Sequence, residues 1–437
     1  MIPTLQLGGL GRAAKLAAAG YTPRNAARVY RNSTQSYTTA SGFVALSWNT
    51  EVRDDDTYWD AGSPTRLTIP GADYDGLFFV ASSYDRTSTA GGSSSQTTLR
   101  VDGSATFGKC FTFKQTSEDV HLQTYGIGYL SSGSYVEAMI SESWNMTLPA
   151  NVIQAGVAGI GTSTLLAAMV SNAGNQNISA TTETALTFAT ENLDVGACFS
   201  SGANTRITVP TGGAGWWLAH GICEWQVVSG GHRRSTIREG GSTIIARESV
   251  NPNSGGGMVP ISQVVALAYL DDTDYLEHVV YSTAGTLTTA NKKFNAVRVA
   301  TEDGARVSRS TSQSIATGPT AIQFDTEEKN TDGIYDSGSN TRLTVQSGKA
   351  GWYLITGGGQ WSALTNGRRM FNIKLNGTTV LQTNARWAPS AHNDPYILVA
   401  DVYYLNAGDY VELMAEASTT VSVAAGAHFS MVRMPYA

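Results

Sequence analysis

The chain holds only three cysteines in 437 residues, Cys110, Cys198 and Cys223. An odd number cannot pair completely, and no CxxC or Cys/His spacing suggests a zinc site, so buried free thiols are expected and no metal. Long apolar runs are missing too: no stretch approaches the roughly 20 residues of a membrane span. The opening "MIPTLQLGGLGRAAKLAAAGY" lacks an uninterrupted apolar core behind a basic head, so no secretion signal is expected. Charged residues make up only 15%, and residues 1–50 contain no Asp or Glu. The six histidines share no HxH or HxxxH spacing, and neither a glycine-rich phosphate loop nor a GxSxG elbow occurs. Without a convergent site, the expectation is a protein that is not an enzyme and takes no cofactor.

What is abundant is Gly, Ser and Thr, beside 41% hydrophobic residues, the composition of a β-rich fold with many turns. At this length two to four domains are expected. The formal net charge is −6, yet the acid-free first segment carries Arg12, Lys15, Arg24, Arg28 and Arg31. A nucleic-acid-binding protein would spread its cations over a face, so neither a nucleic-acid partner nor a membrane is expected. Residues 1–33 read instead as an irregular basic anchoring arm. Leu5, Leu7 and Leu10 would be exposed if it were free, and Gly8, Gly9 and Gly11 make it a poor autonomous helix. It is expected to fold on docking to another protein, with those five cations as contacts.

One phrase is written three times: "AGSPTRLTIP" at 61–70, "SGANTRITVP" at 201–210 and "SGSNTRLTVQ" at 337–346. Aligned on Arg66, Arg206 and Arg342, the flanking sequence falls into register. "TQSYTT", "NQNISA" and "SQSIAT" precede it and look like an opening strand. "DGLFFV", "AGWWLA" and "AGWYLI" follow, then hairpin turns ending at Gly103, Gly240 and Gly377, then "YLSSGSYVE", "YLDDTDYLE" and "YLNAGDYVE". Units of well over a hundred residues with frequent turns are too long for propeller blades or solenoid repeats and read as tandem whole β-sandwiches. The expected boundaries are 34–160, 161–300 and 301–437, the last two including linkers.

The third copy runs "IQFDTEEKNTDGIYDSG", "RLTVQSGKAGWYLITGG", "KLNG", "YLNAGDYVEL" and "FSMVRM". In that order it resembles the jelly-roll domain shared by the complement q globular head and tumour-necrosis-factor ligands. The implied fold is all-β: three tandem antiparallel jelly-roll sandwiches, TNF-like, behind the basic arm. No Gly-X-Y run accompanies them, so a collagen stalk is absent. The same domain is familiar from virion proteins of tailed bacteriophages. That resemblance implies a phage virion structural protein, made in the host cytoplasm, anchored to other virion proteins by its arm and contributing to host-surface adhesion. A capsid decoration protein and a secreted lectin-like carbohydrate-binding protein are the alternatives. Such domains pack as trimers, so the chain is expected to form an intrachain pseudo-trimer or a homotrimer.

For binding, "SGGHRR" and "NGRR" place Arg233, Arg234 and Arg368, Arg369 just after Trp225 and Trp361. Tryptophan stacks on sugars and arginine forks carboxylates, which suits host-surface polysaccharide; the competing expectation is a core aromatic beside a capped sheet edge. "DDD" at 54–56 and "DDTD" at 271–274 read as turns, without the spacing of a calcium loop. Arg66, Arg206 and Arg342 are expected to be structural, facing an interface shared by the copies.

Overall fold

Alternation in the sequence becomes strand in the structure: Tyr135–Glu142 and Tyr410–Ala417 each bury every second residue along their length. The computed structural model describes residues 26–38, 42–71, 74–86, 93–114, 120–142, 146–150, 153–160, 165–227, 231–250, 259–284, 287–362, 367–388 and 395–435. Among them, every regular element longer than three residues is a β-strand. Leu5, Leu7, Leu10, Arg12, Lys15 and Arg24 of the expected arm lie outside these residues.

Each copy is a sandwich of two antiparallel sheets. In the first, the inner sheet runs Thr50–Asp54, Ala26–Arg31, Ile153–Gly159, Gly76–Arg86, Val120–Leu130, and the outer sheet Val44–Ala45, Tyr135–Glu142, Ser93–Val101, Ala105–Lys114. The second repeats this order with Thr190–Val195, Ala167–Asn172, Leu287–Ala300, Gly215–Trp225, Ile261–Leu270 inside and Thr184–Ala185, Tyr275–Ser282, Arg233–Glu239, Thr243–Val250 outside. The third has Thr326–Asn330, Gly304–Ser308, His428–Arg433, Gly351–Gln360, Tyr396–Leu405 inside and Thr320–Ala321, Tyr410–Ala417, Gly367–Leu375, Thr379–Ala388 outside. First and last long strands lie side by side in every copy, the jelly-roll arrangement.

Two expectations need correction. Gln35–Tyr37, Gln176–Ile178 and Gln313–Ile315 are not the opening strands; Ala26–Arg31, Ala167–Asn172 and Gly304–Ser308 precede them and pair with the last strand of their copy. The sandwich therefore begins at Ala26, inside what read as an arm, because "AARVYR" buries its first four residues. The second correction is the hairpin. Asp102 with Gly103 and Asn376 with Gly377 both have positive φ, as a two-residue turn that matches strand twist requires, but the second copy uses Gly240 and Gly241, so Gly241 matches Gly103.

Three hydrophobic clusters fill the space between the two sheets of each sandwich. A fourth lies outside all of them: Phe79 and Ile127 of the first copy, Leu218 and Leu267 of the second, and Leu354 and Val402 of the third share one buried core. The side of every inner sheet that faces away from its own sandwich carries this apolar patch and is covered by the other two copies. Burial of such side chains supplies on the order of 1.5–3 kcal/mol each.

Candidate functional site at the junctions between sandwiches

The candidates nominated from sequence do not assemble into a sugar platform. Trp225 and Trp361 are buried in the cores of their own sandwiches, where Trp361 tilts against Phe371 at 5.1 Å. Neither offers a face to solvent: Trp225 closes its strand on the inward side, and Trp361, one residue past its strand, bridges Val423. Arg233 and Arg369 are buried beneath the outer sheet; Arg369 Nη1 donates to Gly367 O at 2.7 Å, and burial pulls both guanidinium pKa values down, Arg233 to about 10. Arg368 stays near the surface, paired with Glu416 at 2.9 Å. Arg234 joins Arg238 and Arg247 around the single carboxylate of Glu183, so the sheet edge supplies its own counter-ion.

Arg66, Arg206 and Arg342 do not face the shared core. They lie on the outer sheets, over the rings of Tyr135, Tyr275 and Tyr410 at 4.0, 4.7 and 4.8 Å. The preceding Thr65, Thr205 and Thr341 donate to Glu137, Glu277 and Glu412. The repeated phrase is thus half of a surface clasp whose other half is the Tyr-x-Glu of the "YVE" and "YLE" segments. The aspartate runs are turn braces: Asp54 accepts from the backbone of Asp56, Tyr58 and Trp59, and Asp272 from Gly212 and Ala214. Among the described residues no group of three or more His, Cys, Asp or Glu could hold a metal ion.

The polar chemistry concentrates where copies meet, and the junctions follow a cyclic order. Arg28, expected in the arm, projects from the first copy into the third, donating to Asp401 Oδ1, Val402 O and Leu381 O. Arg306 occupies the same strand position in the third copy and reaches the second, donating to Leu267 O at 3.2 Å and Ile245 O at 2.8 Å. In the second copy that position is Met169, which packs on the shared core, and Asn295 donates to Ile127 O of the first copy at 3.0 Å instead. Trp352 Nε1 donates to Asp55 at 2.6 Å across the first of these junctions, and Trp216 Nε1 to Thr331 at 3.3 Å across the second.

Where all three copies converge, Cys110, Glu248 and Asn384 hold corresponding positions on their outer-sheet strands, and all are buried. Arg386 bridges them, with Nη2 2.6 Å from Glu248 Oε1 and 3.2 Å from Cys110 Sγ, and Tyr125 donates its hydroxyl to Glu248 Oε2. Burial raises the Glu248 carboxyl pKa and the Arg386 guanidinium opposes that shift.

At the junction of the first and second copies the surface opens into a groove of about 340 Å³ lined by Thr106, Lys109, Asn172, Glu224, Lys292 and Lys293, among others. Lys109 Nζ pairs with Glu224 Oε1 at 2.6 Å, and Asn291 Nδ2 donates to Glu224 Oε2 at 2.6 Å. Lys292 and Lys293 donate to the carbonyls of Gly174 and Thr106, each at 2.5 Å. Burial lowers both lysine pKa values, with Lys109 adding repulsion at Lys293. No local spacing in the sequence advertised this groove, since its residues come from four separated segments.

No family model matches the chain, and no curated protein matches it. Among solved structures it is similar to murine APRIL at pH 5.0, with 16% identity over 30% of this chain and 98% of that one, TM-score 0.24. It is also similar to the globular domain of zebrafish complement 1qA, with 13% identity over 31% and 95%, TM-score 0.22. A third, described as a triple jelly roll fold and turret assembly in an archaeal virus, shares 10% identity over 93% of this chain and 92% of that chain, TM-score 0.21. At these scores they are likenesses only, and the three-sandwich architecture stands on the strand orders given above.

Proposed function

We propose that the chain is a structural protein of a bacteriophage virion, an exposed appendage that acts without catalysis and contributes to attachment at the host surface. The observation that carries this is the single apolar core shared by all three sandwiches. Jelly rolls whose inner faces are covered only by one another form a rigid body suited to mechanical exposure, and the basic residues preceding Ala26 are left as the natural anchor to a neighbouring virion protein.

One chain, in this proposal, supplies the whole threefold unit. Strict symmetry would bring three copies of one residue to the axis, whereas here a glutamate meets an asparagine and a cysteine under one arginine. Three buried glutamates would repel, so the pairing favours three different copies of one chain meeting there.

The test is placement. Gold-labelled antibody against the folded body should decorate the tail or the head of purified particles, and a chain lacking residues 1–25 should fold yet fail to incorporate. Absence from particles, or full incorporation of the shortened chain, would overturn the proposal. Labelling confined to the head would make the protein a capsid decoration.

A further inference from the structure

The three junctions are built from corresponding residues, so each shows what the others could have been. At the first/second junction the corresponding outer-strand, inner-strand and last-strand positions hold Lys109, Glu224 and Lys293. At the second/third junction they hold Arg247, Gln360 and His428, and at the third/first Thr383, Asp85 and Gln154. His428 is kept neutral by burial, its pKa lowered to about 3. Only the first of these sets gathers two lysines, and a third joins them there.

That third lysine is the informative one. Lys292 is 0% exposed and occupies the strand position that Ile153 fills in the first copy and Ala427 in the third, both core residues. The backbone is irregular at this point: the second copy runs the whole segment as one strand, Leu287–Ala300, with the ladder shifting register opposite Glu224 and Asn291 at a φ of 45°. Such a bulge re-aims side chains and recurs beside binding sites. A buried ammonium costs stability unless it is compensated. Lys109 and Lys293 share one carboxylate, Glu224, which Lys109 and Asn291 already engage, and Lys292 points to the other side of the strand, towards Cys223. Lys292 and Lys293 have backbone carbonyl partners and no ion pair to a carboxylate among the described residues. Around Glu183, by contrast, the chain supplies its own anion to a cluster of arginines.

We propose that this groove is a binding site for an anionic group, the carboxylate of an acidic sugar unit or a free oxyanion, held by Lys293 and Lys109 with Asn172 and Asn291 as neutral donors, while the buried Lys292 adds positive charge behind them. Its volume is that of a small-ligand site. The site does not depend on where the protein sits in a particle, so particle labelling and ligand titration can fail separately.

The sister copies provide the test variants. Lys292→Ala introduces the third copy's residue and Lys293→Gln the first copy's, so the double variant is expected to fold. The full chain is titrated calorimetrically with a hexuronate trisaccharide, a neutral hexose trisaccharide and inorganic sulfate. The expected result is millimolar or tighter binding of the uronate, weakened at least tenfold in the double variant, and none of the neutral sugar. Lys292→Ala alone should also raise the urea midpoint, because it removes an uncompensated buried charge. Equal binding of sulfate would assign the site to a free oxyanion. Failure of both anions, or anion binding that survives the double variant, would overturn the site.

Discussion

Arg28 and Asp401 lie 373 residues apart in the chain and form a buried ion pair between the first and third sandwiches. Arg28 also donates to Gln154 at 2.5 Å and to two carbonyls of the third copy, while Asp401 accepts from Val402 N at 2.9 Å. Removing one partner leaves a buried charge without compensation. Arg28→Ala or Asp401→Ala is expected to cost about 3–5 kcal/mol in urea unfolding. The Arg28→Met, Asp401→Leu double variant should fall closer to the parent than either single alanine variant, since Met169 already serves at the matching position. A double variant less stable than both would refute this account.

The close approach of copies is equally specific at Gly304. A Cβ there would sit 2.4 Å from Cε2 of Trp216 in the neighbouring copy. Gly304→Ala should cost about 1–3 kcal/mol and shift tryptophan fluorescence, as overpacking forces the indole aside. Unchanged stability and emission would mean the junction is looser than described.

His278 is buried in the second sandwich, its Nε2 3.1 Å from Ser235 Oγ, and burial lowers its pKa to about 3. The unfolded chain takes up the proton near pH 6.5, so the stability this group confers is intact above that value and drains away as pH falls towards 3. His278→Gln should flatten the dependence of stability on pH by about 1.4 kcal/mol per unit within that window. Parallel curves for the two proteins would sink the assignment.

The repeated Thr-Arg phrase should be tolerant of change. Each arginine covers a tyrosine on a solvent-facing sheet, so Arg66→Ala, Arg206→Ala and Arg342→Ala should each cost no more than about 1 kcal/mol. A folded triple variant that fails to incorporate into particles would show instead that the clasps are contact points.

For solution mass, sedimentation should give a single chain of 46.2 kDa. A stable species of three chains would contradict the one-chain unit.

The parts of this architecture that depend on local pattern were legible beforehand. Repeats, hairpins and alternating strands each follow from residues close together in sequence, and they identified three sandwiches correctly. What was hidden depends on pairing between distant segments. Arg28 read as one more cation of a basic arm, because its neighbours Arg24 and Arg31 share its sign and Asp401 is nowhere near in sequence. For Trp225 and Trp361 the sequence left open a sugar platform and a core aromatic, because a one-residue change of register separates the two. The lysine groove had no signature: Lys109 and Lys293 look like ordinary surface charges until two sandwiches are set side by side.

The Arg28–Asp401 pair also sets a clock. At a synthesis rate of roughly 5–20 residues per second, the 373 residues separating Arg28 from Asp401 take about 20–75 s to emerge. Until the end of that interval the side of the first sandwich that meets the third copy waits uncovered, and the nascent chain has neither its complete shared core nor the counter-ion for Arg28. The last copy to be made is the one that completes the first.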